Sequence, residues 1–525
     1  MKNQHSQRRV AGAAGFMMAG ILLSRILGLV RERVIAHQFG QGFWTDVYNG
    51  SFTIPDLLFF LIAGGALSGA FIPVFTEYLA TGREKEAWRI FSVVSTVMTV
   101  VVVGFIILGE VFTHQLVVLT NYGYDPAKVE QTVILTRILL PAQVCFFLGG
   151  LMMGTLTSQG RFAGQAFGPV IYNLGIILGG IFLAPKYGVR GLCWGAVGGA
   201  VLGNLLLQWV LVRRSGGYFV TTNLRQHLRH PGVIKVWKLM LPVILGLALP
   251  QVSTIIGKMF ASALGNGPQS ALMNANKLMQ VPLGVFAQAT AIAIFPTMAA
   301  QAARKETREL RQSVNFGIRS ILFLTIPASA LMIVLARPIV QLILQSGKFT
   351  GADTAVTASV LQYFAVGIFA WSAHSIITRG FYALQDSVTP IVVGTVVTVI
   401  FIPMNIPLRN AMGVQGLALA TSIAATIHMF SMLFLLRKRL KGLDGGRLVR
   451  SLGGILAATA VTTAVCWVLN GMVQHRVDER LGMSAGSRAA VVLAVCLTVC
   501  TAVYGAMAAA LKMEEVRLLR KLIRR

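Results

Sequence analysis

The sequence predicts an all-α polytopic membrane protein: about fourteen transmembrane helices, arranged as two six-helix lobes related by a pseudo-two-fold axis plus two C-terminal helices. Three observations predict it. Apolar runs of about 20 residues, the length that crosses a hydrocarbon core, recur along nearly the whole chain. Lys and Arg concentrate in alternate short loops. Finally, the chain repeats itself at an offset of about 226 residues, roughly the length of six helices with their loops.

Composition agrees with the first observation. Hydrophobic residues make up 55% of the 525 and charged residues 12%, with a mean hydropathy of +0.70, whereas a soluble domain is roughly 25% charged. The chain cannot cover itself with polar surface, and too little sequence lies between the spans for a soluble catalytic domain. A net charge of +28 would suggest nucleic acid if it formed one face of a globular domain. Here the positive residues sit in the loops, so membrane topology explains them and no nucleic-acid partner is expected.

Taken in order, the first span, 10–30, follows Lys2, Arg8 and Arg9 and lacks a small-residue cleavage site. It reads as an uncleaved helix with its N-terminus in the cytoplasm. Spans 47–76, 88–109, 133–156, 167–184 and 189–212 complete the N-terminal lobe, 1–214. Spans 239–264, 270–300, 318–336, 356–381, 390–408 and 413–436 form the C-terminal lobe, 215–440. Spans 449–473 and 488–511 form the last pair within 441–525.

Most Lys and Arg then fall on the cytoplasmic side, including Arg213, Arg214, Arg225, Arg229, Lys235 and Lys238 between spans six and seven. Both termini are expected there, and the basic tail Lys512, Arg517, Arg520, Lys521, Arg524 and Arg525 reads as a contact with anionic lipids.

The repeat has three anchors. Gly154 and Gln159 match Gly380 and Gln385; Gly188-Val189-Arg190-Gly191-Leu192 matches Gly413-Val414-Gln415-Gly416-Leu417; Ile54-Pro55 matches Val281-Pro282. A six-helix offset preserves orientation, which predicts two parallel bundles with a substrate path between them. The in-span prolines Pro55, Pro73, Pro141, Pro169, Pro242, Pro250, Pro282 and Pro296 fit helices bent around a cavity.

Charge at a helix centre costs about 3 kcal/mol on insertion, so each deep charge needs a partner, a hydrated cavity or a task. The candidates are Arg25, Arg31 and Glu32 in Ser24-Arg25-Ile26-Leu27-Gly28-Leu29-Val30-Arg31-Glu32, Asp46 and Asp56 at the start of span two, Lys258 in span seven and Lys277 in span eight. Arg25 and Glu32, seven apart, share a helix face. Plain snorkelling to the interface competes with a functional role for each of them.

The cysteines Cys145, Cys193, Cys466, Cys496 and Cys500 have no metal or redox spacing, and the histidines have no ligand spacing. His374, inside span ten, is weighed as a proton relay against an ordinary helix-helix hydrogen bond. There is no phosphate-cradling Walker sequence. No cofactor is expected, and the driving force would be the membrane potential or an ion gradient.

These residues together resemble the MurJ family of lipid II flippases, within the MOP exporter superfamily. The likeness runs through about the first 440 residues. Its most specific pieces are Ser24 to Glu32, Phe39-Gly40 with Asp46, Gly65-Ala66-Leu67-Ser68 leading to Phe71-Ile72-Pro73-Val74-Phe75, Gln159-Gly160-Arg161-Phe162, Pro282-Leu283-Gly284-Val285-Phe286, Phe381 to Pro390, and Gly416 to Ser422.

The resemblance implies fourteen helices and a central cavity lined by Arg25 and Arg31. It places Lys277, in Ala275-Asn276-Lys277-Leu278, where the family usually has Arg after Asp, so charge is kept and the guanidinium fork is lost. Ser24, Glu32, Asp46 and Asn276 complete the expected substrate-binding set. Three positions depart further: Phe59 and Phe60 stand in place of an arginine pair, and Gly64 in place of Glu. At Gly257 related sequences often carry Asp, in some as part of a sodium site. Here Lys258 follows instead and is read as a coupling or conformational switch, either a built-in cation or a titrating group.

The expected function is movement of a lipid-linked peptidoglycan precursor, lipid II, across the bacterial cytoplasmic membrane by alternating access, with no covalent catalysis. An exporter of another lipid-linked oligosaccharide or of an amphipathic drug remains open, as does a non-transporting scaffold that meets cell-wall synthesis proteins. A drug exporter would be expected to use intramembrane carboxylates, whereas the deep charges here are mainly basic.

Overall fold

In the computed structural model, which describes residues 2–60, 70–219, 228–480 and 484–515, the described chain is almost all helix and contains no strand. The expected all-α architecture is therefore observed. Among the described residues nine helices are long and apolar enough to cross a bilayer; a tenth is added if Gly351–Ala365 and Ile368–Ala383, bent by 41°, count as one span. The four remaining predicted spans fall on Lys2–Phe39, on the series Phe43–Ser51, Thr53–Phe59 and Ile72–Ala80, on Pro231–Ser262, and on Pro268–Pro282 with Gln288–Ala303. Gly64 and its neighbours in 61–69, Arg225, and the tail residues Arg517, Arg520, Lys521, Arg524 and Arg525 lie outside the described residues.

Packing divides the chain into two compact units, Met1–Gly267 and Pro268–Arg525. This division follows packing and not the repeat, so helix Pro231–Ser262 is grouped with the first unit.

The first unit is built on two kinds of contact. One is aromatic: Trp88 and Phe91 of helix Glu84–Val111 are fully buried with Phe71 and Phe75, and the Phe75 and Trp88 rings meet edge-on at 5.3 Å. The other is backbone against backbone. Gly191, Gly195, Gly199 and Gly203 recur every fourth residue and so line one stripe of a helix. They face helix Ala163–Leu178 and its π-helical continuation Gly179–Leu183. A Cβ on Gly179 would lie 2.6 Å from the Gly191 carbonyl, and one on Gly203 would lie 2.7 Å from the Gly168 carbonyl. Small residues of this kind let membrane helices approach closely where lipid offers no hydrophobic drive.

In the second unit, helix Thr307–Val334 packs against Ile368–Ala383 and Gly445–Arg480, and its Ile318 and Ile321 share one buried core with Ile376 and Ile377 and with Met432 of helix Val414–Arg439. The C-terminal pair is tied to this helix by polar bonds. Arg319 Nε donates to Glu515 Oε1 at 2.9 Å and Nη2 to Glu514 Oε2 at 2.7 Å, while the Tyr504 hydroxyl donates to the Phe323 carbonyl at 2.8 Å. The 41° bend sits at Gly367, where any Cβ would press within 2.8 Å of Ser422 Oγ, itself bonded to the Tyr363 carbonyl.

The repeat is visible in the backbone of each unit. Gly188 has φ 59° and ψ −145°; its match Gly413 has φ 62° and ψ −134°. Both angles fall where a side chain is strained, and both glycines link the end of one helix to the start of the next. The following Leu192 and Leu417 are buried alike, at 0% and 1% exposure. One residue off the Gln159–Gln385 anchor, Gly160 and Gln385 both have positive φ. Each closes its helix by the same reach-back bond, Arg161 N to Leu156 O and Asp386 N to Phe381 O.

Candidate functional site

The deep charges of the first unit form two clusters and an anchor. In the first cluster, Arg31 Nη2 and Nε donate to Glu32 Oε1 at 2.6 and 3.1 Å, and Nη1 donates to Asn173 Oδ1 at 3.0 Å. Asn173 Nδ2 in turn donates to the Ser24 carbonyl and hydroxyl at 3.2 and 3.3 Å. Ser24, Arg31 and Glu32, three of the expected set, are thus joined through Asn173, whose helix packs on the first.

The guanidinium fork explains the arrangement, since it satisfies a carboxylate and an amide at once. Glu32 does not pair with Arg25, with which it shares a face; the long Arg31 side chain reaches round to it from the neighbouring position. Arg25 is exposed.

In the second cluster, Lys258 Nζ lies 3.8 Å from Asp56 Oδ2, the lysine side chain 5% exposed and the aspartate 52%. The buried ammonium faces the half-exposed carboxylate at ion-pair distance. Asp56 also lines a cavity of about 300 Å³ with Phe59, Phe60, Gln143, Phe146 and Tyr172. The phenylalanines that replace the expected arginine pair are therefore walls of a space inside the first unit.

Asp46 is the anchor. It is fully buried at 0% exposure and bonded to Lys128 Nζ at 2.9 Å and to the Gly267 amide at 2.7 Å. Lys128 also donates to Asn266 Oδ1 and the Gly265 carbonyl and lies 4.4 Å above the Tyr124 ring. In this conformation Asp46 holds the segment after helix Pro231–Ser262 and is closed to a ligand. Lys128 was not singled out from sequence, because a lysine near a helix start beside Asp125 reads as an ordinary loop charge.

The second unit holds Asn276, which accepts from Gln280 Nε2 at 2.6 Å, and the half-buried Lys277. His374 packs against His428 with ring centroids 4.1 Å apart and the rings tilted by 47°, and shares a hydrogen bond with Thr378 Oγ1 of its own helix at 3.2 Å. Among the described residues no group of His, Cys, Asp or Glu is arranged to hold a metal ion. Chemically, the first unit offers guanidinium, ammonium, amide and aromatic groups side by side, which suits binding and release of a polar headgroup.

A family described as "Lipid II flippase MurJ" matches residues 35–480. A "Probable lipid II flippase MurJ" of Haemophilus influenzae is 31% identical over 426 residues, 78% of this chain and 82% of that one. A "Lipid II flippase MurJ" of Burkholderia cenocepacia is 29% identical over 422 residues, 80% and 82% of the two chains. Among solved structures, "Lipid II flippase MurJ, inward closed conformation" superposes with a TM-score of 0.78 at 23% identity, covering 97% of this chain and 99% of that one. An inward-facing multidrug resistance MATE family transporter of the MOP superfamily shares the fold at a TM-score of 0.68 and 13% identity, over 81% and 98%.

Proposed function

The chain belongs to the lipid II flippase MurJ family, and from that premise we propose that it carries lipid II from the cytoplasmic to the outer leaflet of the bacterial cytoplasmic membrane by alternating access. It is a polytopic membrane transporter. The observation that supports the reading best is the set of charges held between helices of the first unit, Arg31 with Glu32 and Asn173, and Lys258 with Asp56. Charge buried in a chain of this hydropathy is costly, and it is retained where it is paired and serves a task such as a polar path.

A polyprenyl pyrophosphate sugar is anionic and polar at its head. Arg25, Arg31 and Lys277 would neutralise the pyrophosphate, with Ser24, Glu32 and Asn276 as polar neighbours, while Asp46 is held by Lys128 and the Gly267 amide. Lys258 would set the conformational equilibrium, with the membrane potential or an ion gradient as driving force. Both termini are assigned to the cytoplasm, and the tail to anionic lipid. A related lipid-linked oligosaccharide is the second reading, favoured by Phe59 and Phe60 where the family resemblance implies arginines.

The test is replacement of the resident flippase in a depletion strain. Growth with lipid II reaching the outer leaflet is expected. Full membrane insertion of the chain without rescue, or export of a different lipid-linked sugar, would refute the lipid II assignment.

A further inference from the structure

The cavity bounded by Phe59, Phe146 and Tyr172 has a lining that the charge clusters do not explain. Its rings form a continuous edge-on series, Phe60 to Phe59 at 5.5 Å, Phe59 to Phe146 at 5.7 Å and Phe146 to Tyr172 at 5.2 Å between centroids. Asp56 and Gln143 also line it. Gln143 is only 7% exposed, yet its Oε1 is buried with no hydrogen-bond partner among the described residues. Native proteins seldom leave a buried acceptor unpaired, and each case calls for a reason.

Three classes of occupant can be compared. An acyl chain would suit the rings and leave Gln143 Oε1 unpaired. A bare cation or anion would gain little from Asp56, because Lys258 stands 3.8 Å away and the pair is neutral overall. A neutral ring with apolar faces and a rim of hydroxyls meets every feature: its C–H faces lie against the aromatic walls, and its hydroxyls donate to the acceptors.

We propose that this cavity is a subsite for one neutral pyranose of the transported headgroup, its faces packed on Phe59, Phe146 and Tyr172 and its hydroxyls donating to Gln143 Oε1 and Asp56. The subsite rests on the reading of the chain as a flippase for lipid-linked sugars and adds to it where the sugar is held. It also gives Phe59 and Phe60 a task, since arginines there would fill the aromatic slot with charge.

The experiment measures binding of two probes to the full-length chain in nanodiscs: undecaprenyl pyrophosphate, and the same lipid carrying an N-acetylated disaccharide without peptide. The wild type is expected to bind the disaccharide form about tenfold more tightly, as one or two buried hydrogen bonds would give. Gln143→Met keeps the side-chain volume and removes the amide. It is expected to bring that ratio close to one, with undecaprenyl pyrophosphate binding unchanged and thermal stability equal or higher, since an unpaired buried acceptor is lost. Phe146→Leu is expected to lower the ratio in the same direction. A wild-type ratio near one, or a ratio that persists in Gln143→Met, overturns the subsite. Failure of the wild type to bind either lipid instead overturns the flippase reading beneath it.

Discussion

The two units of this chain treat charge in different ways. The first, Met1–Gly267, buries Glu32, Asp46, Lys128 and Lys258, and its ion pairs join helices far apart in sequence: Asp46 to Lys128, Asp56 to Lys258. The second, Pro268–Arg525, buries Arg319 and Glu515, which face each other and fasten the C-terminal pair. Both units carry the same backbone landmarks at Gly188 and Gly413, so one helical plan has received two kinds of interior. The first buries several charged groups that link distant helices; in the second the buried pair fastens the C-terminal helices. The comparison teaches that duplication preserved the turns, whereas the polar contents diverged.

The sharpest way to break the comparison is at Lys128. Lys128→Met leaves the fully buried Asp46 carboxylate without its cation, which should cost about 3–5 kcal/mol. Thermal unfolding in detergent should show a large fall, mostly recovered by adding Asp46→Asn. If the single variant is as stable as wild type, the anchor contributes nothing to the first unit.

In the second unit Arg319→Met should cost nearer the lower end of that range, about 3 kcal/mol, because Glu514 is 66% exposed and rehydrates while only Glu515 stays buried. Limited proteolysis should then release the C-terminal pair first. Uniform digestion would contradict the clamp.

A smaller effect separates close backbone approach from mere glycine content. Gly179→Ala places a Cβ 2.6 Å from the Gly191 carbonyl and should cost about 1–3 kcal/mol as overpacking. Gly198→Ala, with nothing within 4 Å of the new carbon, should be neutral or stabilising by up to about 1 kcal/mol. Equal melting temperatures for the two would remove the argument for the glycine stripe.

The smallest expected effect is at Asp386, which accepts from the Thr389 amide at 3.0 Å and hydroxyl at 2.8 Å. The Thr389 amide, aided by its hydroxyl, holds the carboxyl below the usual carboxylate range. A depressed carboxyl contributes stability above its unfolded pKa of about 3.9 and loses it as pH falls through the lower folded value. Asp386→Ala should therefore cost about 0.5–1 kcal/mol at neutral pH, and the difference from wild type should shrink below about pH 4. A difference that grows in acid would reverse the sign of this account.

Much of the fold was legible because the bilayer imposes it. Apolar length marks the spans, and the repeated Gly-Val-X-Gly-Leu marks two turns whose positive φ only glycine accepts easily. The glycine stripe from Gly191 to Gly203 was present at four-residue spacing, but nothing in one sequence says which neighbour it meets. The site was less legible. Helical periodicity set Glu32 beside Arg25, and the reach of a guanidinium overrode it. Asn173 and Gln143 are neutral amides in apolar helices, without a spacing signal, and become visible only when burial and partners are known. Lys258 drew notice as a buried charge, but its partner Asp56 lies some 200 residues earlier in sequence and only the fold brings the two together.

Movement of lipid II by the cationic residues of the first helix is tested most directly at Arg25, where charge can be removed without disturbing a buried pair. This residue is exposed, so Arg25→Gln should leave thermal unfolding unchanged. In proteoliposomes loaded with lipid II, with flipping followed by the lipid's accessibility to an enzyme added outside, the wild type should move lipid II and Arg25→Gln should be slower by more than about tenfold, the loss of one charge-assisted contact. Unchanged flipping by Arg25→Gln, or no flipping of lipid II by the wild type, would contradict the account.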